Sequence, residues 1–223
     1  ELNKRIETSI ILFIVASICI LIDELVFGVA NFFVAIICYD EWTKINHKFY
    51  YLKNKNKNKE FQYFVIKCLG LFYLFFYIWT SLLLRGDSFE SGIFFIIILC
   101  ICIFSDIGGY IFGKIIGGKK LTKISPNKTI SGSVGSFAFS MFPIFVINIQ
   151  NYIDINFYFS FKNILFCLII SLSCQLGDLF ISFFKRLNKV KDTGKILPGH
   201  GGLLDRVDGI IFAIPIVWLL KYL

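Results

Sequence analysis

Asp178 stands in an otherwise apolar stretch, and Ser182, Lys185 and Arg186 follow it at +4, +7 and +8. On an α-helix, at ~100° per residue, these four project onto one face, and Lys185 lies ~10 Å along the axis from Asp178. An acid at one end of such a face can hold a cation, and the basic pair below it can bracket an extended polyphosphate. Membrane anchoring is the competing explanation for Lys185 and Arg186. Downstream, Lys191, Asp192, Lys195, His200, Asp205, Arg206 and Asp208 gather around Pro198-Gly199 and Gly201-Gly202. Asp205 and Asp208, three apart, would share a face at a helix start, where acids also serve as caps that suit the helix dipole. Several aspartates together offer hard oxygen ligands, which points to Mg²⁺ completed by water and substrate phosphates. His200 could equally be a turn histidine. With one other histidine in the chain, a zinc site is not expected.

A second polar loop opens with Asp106 at the inner end of an apolar run and continues through Gly108, Gly109, Gly113, Gly117 and Gly118. An acid inside a membrane helix is costly, so Asp106 is a candidate for the site, with a hydrogen-bonded structural acid as the alternative. The glycines also suit close helix packing. Ser125, Lys128, Thr129, Ser131 and Ser133, with backbone freed by Gly132, have a composition suited to cradling phosphate through amides, hydroxyls and a point cation. P-loop spacing is absent, and a helix-capping turn explains these residues almost as well.

The elements that must hold these groups are apolar. Of 223 residues, 57% are hydrophobic and 17% charged, and the mean hydropathy is +0.73, which excludes a soluble enzyme. Seven apolar runs, 8–22, 25–39, 61–84, 92–113, 133–149, 163–184 and 209–222, are each long enough, or nearly so, to cross a ~30 Å hydrocarbon core. Asp23 and Glu24 separate the first two, which read as a tight hairpin, a half-inserted pair being the alternative. The expected fold is all-α, a polytopic integral membrane protein of about seven transmembrane helices. Residues 1–60 would form a hairpin and basic loop, and 61–223 one continuous catalytic bundle.

The net charge of +8 bears first on orientation, and no nucleic-acid partner is expected. Nineteen of the 23 basic residues fall on one side of a seven-span arrangement that starts inside, in the leader and in the loops 44–59, 114–128 and 185–206. Arg85, Lys162 and Lys221 fall on the other, with Arg85 expected to be exposed. Both candidate loops then face the cytoplasm. The seven cysteines lack C-x-x-C spacing, so no disulfide or metal framework is expected. The first run leads into the second without a small-residue cleavage site, so a cleaved leader is not expected either.

The run Ser182 to Asp208 resembles the signature of phosphatidate cytidylyltransferases, also called CDP-diacylglycerol synthases. It carries S-x-apolar-K-R, four residues, K-D, then P-x-H-G-G-apolar-x-D-R-apolar-D. The similarity extends to Gly177-Asp178, to Asp106-x-Gly108 with Tyr110 and Gly113, and weakly to Glu41-Trp42. One departure lies at SPKKT-x-EG, where this chain has Asn127 for the first lysine and Ser131 for the acid.

The resemblance implies transfer of a cytidylyl group. The phosphate of phosphatidate attacks the α-phosphorus of CTP, giving CDP-diacylglycerol and pyrophosphate at the inner boundary of a bacterial cytoplasmic membrane. It assigns Asp178 and Asp205 as Mg²⁺ ligands with Asp208 in support. Lys185, Arg186, Lys191 and Arg206 would hold phosphates, and Ser182, Asp192, Asp106, Ser125, Lys128 and Thr129 would line the substrates. The nucleophile is already anionic, so no base is required and His200 could hold pyrophosphate. The expected partners are CTP, phosphatidate and the bilayer, with a homodimer left open. A CTP-dependent polyprenol or dolichol kinase and an ion-coupled transporter are the alternatives; the full H-G-G-x-x-D-R-x-D string opposes the first and the clustering of acids at one face the second.

Overall fold

The computed structural model describes residues 2–52, 57–122, 125, 127–150, 159–194, 196 and 201–221. Among them are eight α-helices and no strand: α1 Leu2–Ile22, α2 Glu24–Leu52, α3 Lys57–Arg85, α4 Phe89–Ile115, α5 Ile130–Ser140, α6 Phe142–Gln150, α7 Phe161–Leu187 and α8 Leu204–Lys221. The all-α expectation holds among the described residues. Five stretches of the described residues are long and apolar enough to cross a bilayer: Glu24–His47, Glu60–Arg85, Phe89–Ile115, Ile130–Ile147 and Phe161–Leu187. The apolar part of α1, Glu7–Ile22, is shorter, and α8 carries Asp205, Arg206 and Asp208 in its first turns.

Local chemistry sets the breaks. Asp23 alone separates α1 from α2, and its carboxylate accepts from Leu25 N (3.3 Å) as an N-cap. The run 133–149 is not one helix. Pro143 has no N–H and its ring opposes the carbonyl four residues back, so α5 stops at Ser140 and α6 restarts at Phe142. Pro215 is accommodated inside α8, where it leaves Ile211 O without its usual donor. Tyr73 Oη of α3 donates to that carbonyl instead (3.4 Å).

The core runs through α4, α6, α7 and α8, with Ile98, Ile101, Ile144, Ile170, Ile214 and Val217 fully buried. Outward faces are equally apolar: Phe72, Phe75 and Trp79 of α3 and Leu172, Leu176 and Phe180 of α7 lie exposed, the surface a lipid solvent requires. Arg85 corrects the expectation that it is exposed. It is 3% exposed, and its guanidinium donates from Nε (3.0 Å) and Nη2 (2.8 Å) to Ile20 O and from Nη1 to Gly86 O (2.6 Å). The carbonyls of the last turn of α1 have no intrahelical donor, and a planar fork aimed at one of them closes that end.

Candidate active site

Two helix crossings bring the loops together. At the α4–α5 crossing Gly108 and Gly109 lie against Gly132, Gly135 and Ser136. A Cβ on Gly135 would sit 2.7 Å from Gly108 O, and one on Gly132 would sit 2.8 Å from Gly109 O. Close packing thus accounts for these glycines. At the α7–α8 crossing a Cβ on Gly177 would lie 2.6 Å from Asp208 O, so this glycine lets the two backbones approach and sets Asp178 beside the start of α8. Ser105 and Ser171 share a hydrogen bond across α4 and α7 (2.7 Å), and Gln175 links Ser171 to Ser133 of α5. This polar ladder ties the three helices beside the acids, Ser105 being next to Asp106 and Gln175 three residues before Asp178.

The SPNKT segment is built as a turn and a cap. Lys120 and Thr129 form a β-bridge, Lys128 N donates to Ser125 O (3.1 Å), and Ser125 N donates to Thr122 Oγ1 (3.2 Å). Thr129 Oγ1 caps α5 by accepting from Gly132 N (3.1 Å), and Ser131 Oγ is fastened to Gly117 O. These bonds aim Lys128 across the bundle, where its Nζ forms an ion pair with Asp178 Oδ2. Ser182 Oγ donates to Asp178 Oδ1 (3.2 Å), as their helical spacing requires. The same carboxylate therefore joins both candidate loops.

Lys185 pairs with Asp205 Oδ1 of α8 at 2.7 Å, with the two side chains 14% and 7% exposed. Asp205 Oδ2 accepts from Thr193 N (2.7 Å) and more weakly from Gly202 N (3.4 Å). Both oxygens of Asp205 are thus engaged, and its cationic partner is Lys185. Breaking a pair this enclosed costs ~3–5 kcal/mol by leaving the other charge uncompensated. Asp208 is buried and accepts from Gly209 N (2.8 Å), while Asp106 is exposed on α4. Asp106, Asp178 and Asp208 act on one another electrostatically, as do Lys128 and Arg206 on Asp106 and Lys185 on Asp208. Three acids from α4, α7 and α8 are thus set against cations from the turn before α5, from α7 and from α8.

Arg186, Lys191, Asp192 and Arg206 lie exposed around this centre. The chain reaches Lys191 through a Schellman turn at the end of α7: Lys189 adopts φ +55°, Val190 N donates to Lys185 O (3.0 Å) and Lys189 N to Arg186 O (3.1 Å). Lys195 and His200 lie outside the described residues. Among the described residues no three His, Cys, Asp or Glu side chains converge as a cation cage. Mg²⁺ needs no such cage, since one or two carboxylates suffice when phosphates and water supply the rest. Asp178, half-exposed and backed by Asp106 and Asp208, meets that requirement.

Glu41 is the member that spacing alone could not place. It is 1% exposed on α2, and its carboxylate accepts from Thr193 Oγ1 (2.9 Å), Leu203 N (3.0 Å) and Leu204 N (2.9 Å). The adjacent Trp42 donates to Ile66 O (3.2 Å) and packs on Phe180 and Phe184 of α7. The available signal was an acid beside a tryptophan at the polar end of an apolar run.

The geometry can be set beside known proteins. Phosphatidate cytidylyltransferase of Rickettsia bellii is 42% identical over 133 residues, covering 58% of this chain and 56% of that protein. The Rickettsia conorii protein of the same name is 44% identical over 132 residues, with the same shares. That of Staphylococcus saprophyticus is 38% identical over 146 residues, 65% of this chain and 55% of that protein. The chain therefore spans about half the length of the curated relatives it matches. The family model of cytidylyltransferases matches residues 45–223, which take in both ion pairs and all three facing acids. A bundle with this centre, matched over most of its length, belongs to the cytidylyltransferase family.

Proposed function

We propose that this chain transfers a cytidylyl group from CTP to phosphatidate, giving CDP-diacylglycerol and pyrophosphate. The observation that carries the reading is the pairing of Lys128 with Asp178 and Lys185 with Asp205 where α5, α7 and α8 meet in an apolar bundle; the names of the relatives supply the substrates. A phosphate oxygen of phosphatidate forms a bond to the α-phosphorus of CTP while the bond from that phosphorus to the β-phosphate bridge breaks, and pyrophosphate leaves. Both reactants are polyanions, so the protein's work is positioning and charge neutralisation. Lys128 and Lys185 are held by carboxylates and turn to phosphate oxygens when these arrive. Arg186, Lys191 and Arg206, at the rim, receive the water-borne nucleotide, and the acyl chains stay among the outward apolar faces.

Mg²⁺ would be held by Asp178, and by Asp205 once phosphate takes over Lys185, and would supply Lewis-acid neutralisation of the phosphates. Asp208 and Asp106 fix the field around it. The concentration of basic residues in the loops supports an orientation of this face toward the cytoplasm of a bacterial membrane, with α1 and α8 completing seven crossings. The test is purified protein in detergent with phosphatidate and CTP labelled at the α- or γ-phosphate, with and without Mg²⁺. Lipid-borne α-label with release of γ-label as pyrophosphate is the expected result. Lipid-borne γ-label would make the chain a lipid kinase, and no transfer of either would leave a transport role.

A further inference from the structure

We infer that Glu41 is the positioning residue of the catalytic loop, holding the Lys185–Asp205 pair in place from a helix that carries none of the reacting groups. The inference rests on the cytidylyl-transfer reading for its consequence, though not for its geometry. Glu41 is a charge buried to 1% exposure, and no Lys or Arg pairs with it among the described residues. Burying a carboxylate without a counter-ion is expensive unless donors replace its water. Three do: Leu203 N and Leu204 N, which are free donors at the start of α8, and Thr193 Oγ1. The carboxylate of α2 therefore caps α8 from outside, where the helix dipole also favours an anion.

Gly194 and Gly202 are cut to this group. A Cβ on Gly202 would lie 2.5 Å from Glu41 Oε2, and one on Gly194 would collide with Glu41 Oε1. Both glycines let the chain close round the carboxylate. From there the bonds continue without a gap. Glu41 holds the Thr193 hydroxyl, the Thr193 N–H holds Asp205 Oδ2, and Asp205 Oδ1 holds Lys185 on α7. Glu41 is buried, and the partners of its carboxylate are Thr193, Leu203 and Leu204. It acts through Thr193 and the start of α8, the helix that also bears Arg206 and Asp208.

Glu41→Gln keeps the volume but turns one acceptor oxygen into a donor facing other donors. The expected result is a fall in kcat per folded molecule of tenfold or more. Thr193→Val removes only the hydroxyl and lowers kcat several-fold, and Thr193→Ser regains most of that loss. Since both changes break one shared bond, the Glu41→Gln/Thr193→Val double variant is expected to fall little below Glu41→Gln alone. Amide exchange is read in parallel. In Glu41→Gln the N–H groups of Thr193, Leu203 and Leu204 lose protection by tenfold or more, while those of Ile211 to Val217 keep theirs. Multiplying effects in the double variant, or a lowered melting temperature with unchanged kcat, would overturn the inference, and so would unchanged exchange at 193 and 203–204. A parent protein that makes no liponucleotide would sink the activity reading alone, and exchange would still decide the positioning role.

Discussion

Asp178 takes a lysine from one loop and a serine from its own helix, so its charge is the meeting point of two distant stretches of sequence. Asp178→Asn removes that charge at constant volume. Liponucleotide formation is expected to drop at least ~100-fold with the amount of protein in the membrane unchanged, as quantified by initial rates against immunodetection. Lys185 and Arg186 point ~100° apart on the helix, and the structure gives them separate settings, one enclosed against Asp205 and one exposed. Lys185→Arg is expected to keep part of the rate, whereas Arg186→Lys, which loses a fork able to take two oxygens, is expected to raise the KM for CTP several-fold. The comparison is initial rates against each substrate, with exposed Lys114→Arg as the neutral reference. Equal, unchanged kinetics in both would make the pair mere anchors. The Asp178–Ser182–Lys185 face was legible in the sequence because helical spacing alone fixes it. The partner of Asp205 was not, because it depends on how α7 crosses α8. Arg85 was misread for a related reason, since a basic residue at the end of an apolar run looks like an anchor until the carbonyl it caps, 65 residues away, is known.

Helices meet here at glycines, and the spacing of the site depends on them. Gly177→Ala would force Asp208 O and Phe212 away from α7 and draw Asp178 out of line with the other acids. It is expected to cost ~1–3 kcal/mol of stability and most of the activity, to be seen together in thermal unfolding and in the CTP assay. If stability falls with full activity per folded molecule, the crossing only packs. Arg85→Lys keeps the charge but cannot aim two donors at Ile20 O while reaching Gly86 O, and should lower stability by ~1–3 kcal/mol with no direct effect on the site. Element types were legible because apolar runs of this length leave a lipid-facing chain no option but helix. One element boundary was harder. The break at Met141 is written in Pro143, but hydropathy alone runs through it. Thr129 was correctly weighed as a capping residue, since a hydroxyl three residues before Gly132 N has that role open to it whatever else it binds.

For the whole molecule, the proposed orientation puts the loops after α4 and α7 on one side and the α3–α4 connection on the other. Cysteines introduced at Lys119 and Lys191 are expected to react with an impermeant reagent from the same face, and one at Asp87 from the opposite face, in a background freed of the seven native cysteines. Labelling of 119 and 191 from opposite faces would refute the arrangement. The bond from Glu41 to Thr193 bears on the order of events during synthesis. Its partners are 152 residues apart, so at ~5–20 residues per second α2 is made ~8–30 s before the hydroxyl and amides that satisfy its carboxylate exist. Throughout that interval Glu41 is an anion without its donors and has to remain hydrated, so the polar end of α2 stays at the interface while later helices insert. The site is then completed only when α8 arrives, and a nascent chain stalled before Thr193 holds α1 to α7 yet none of the clasp.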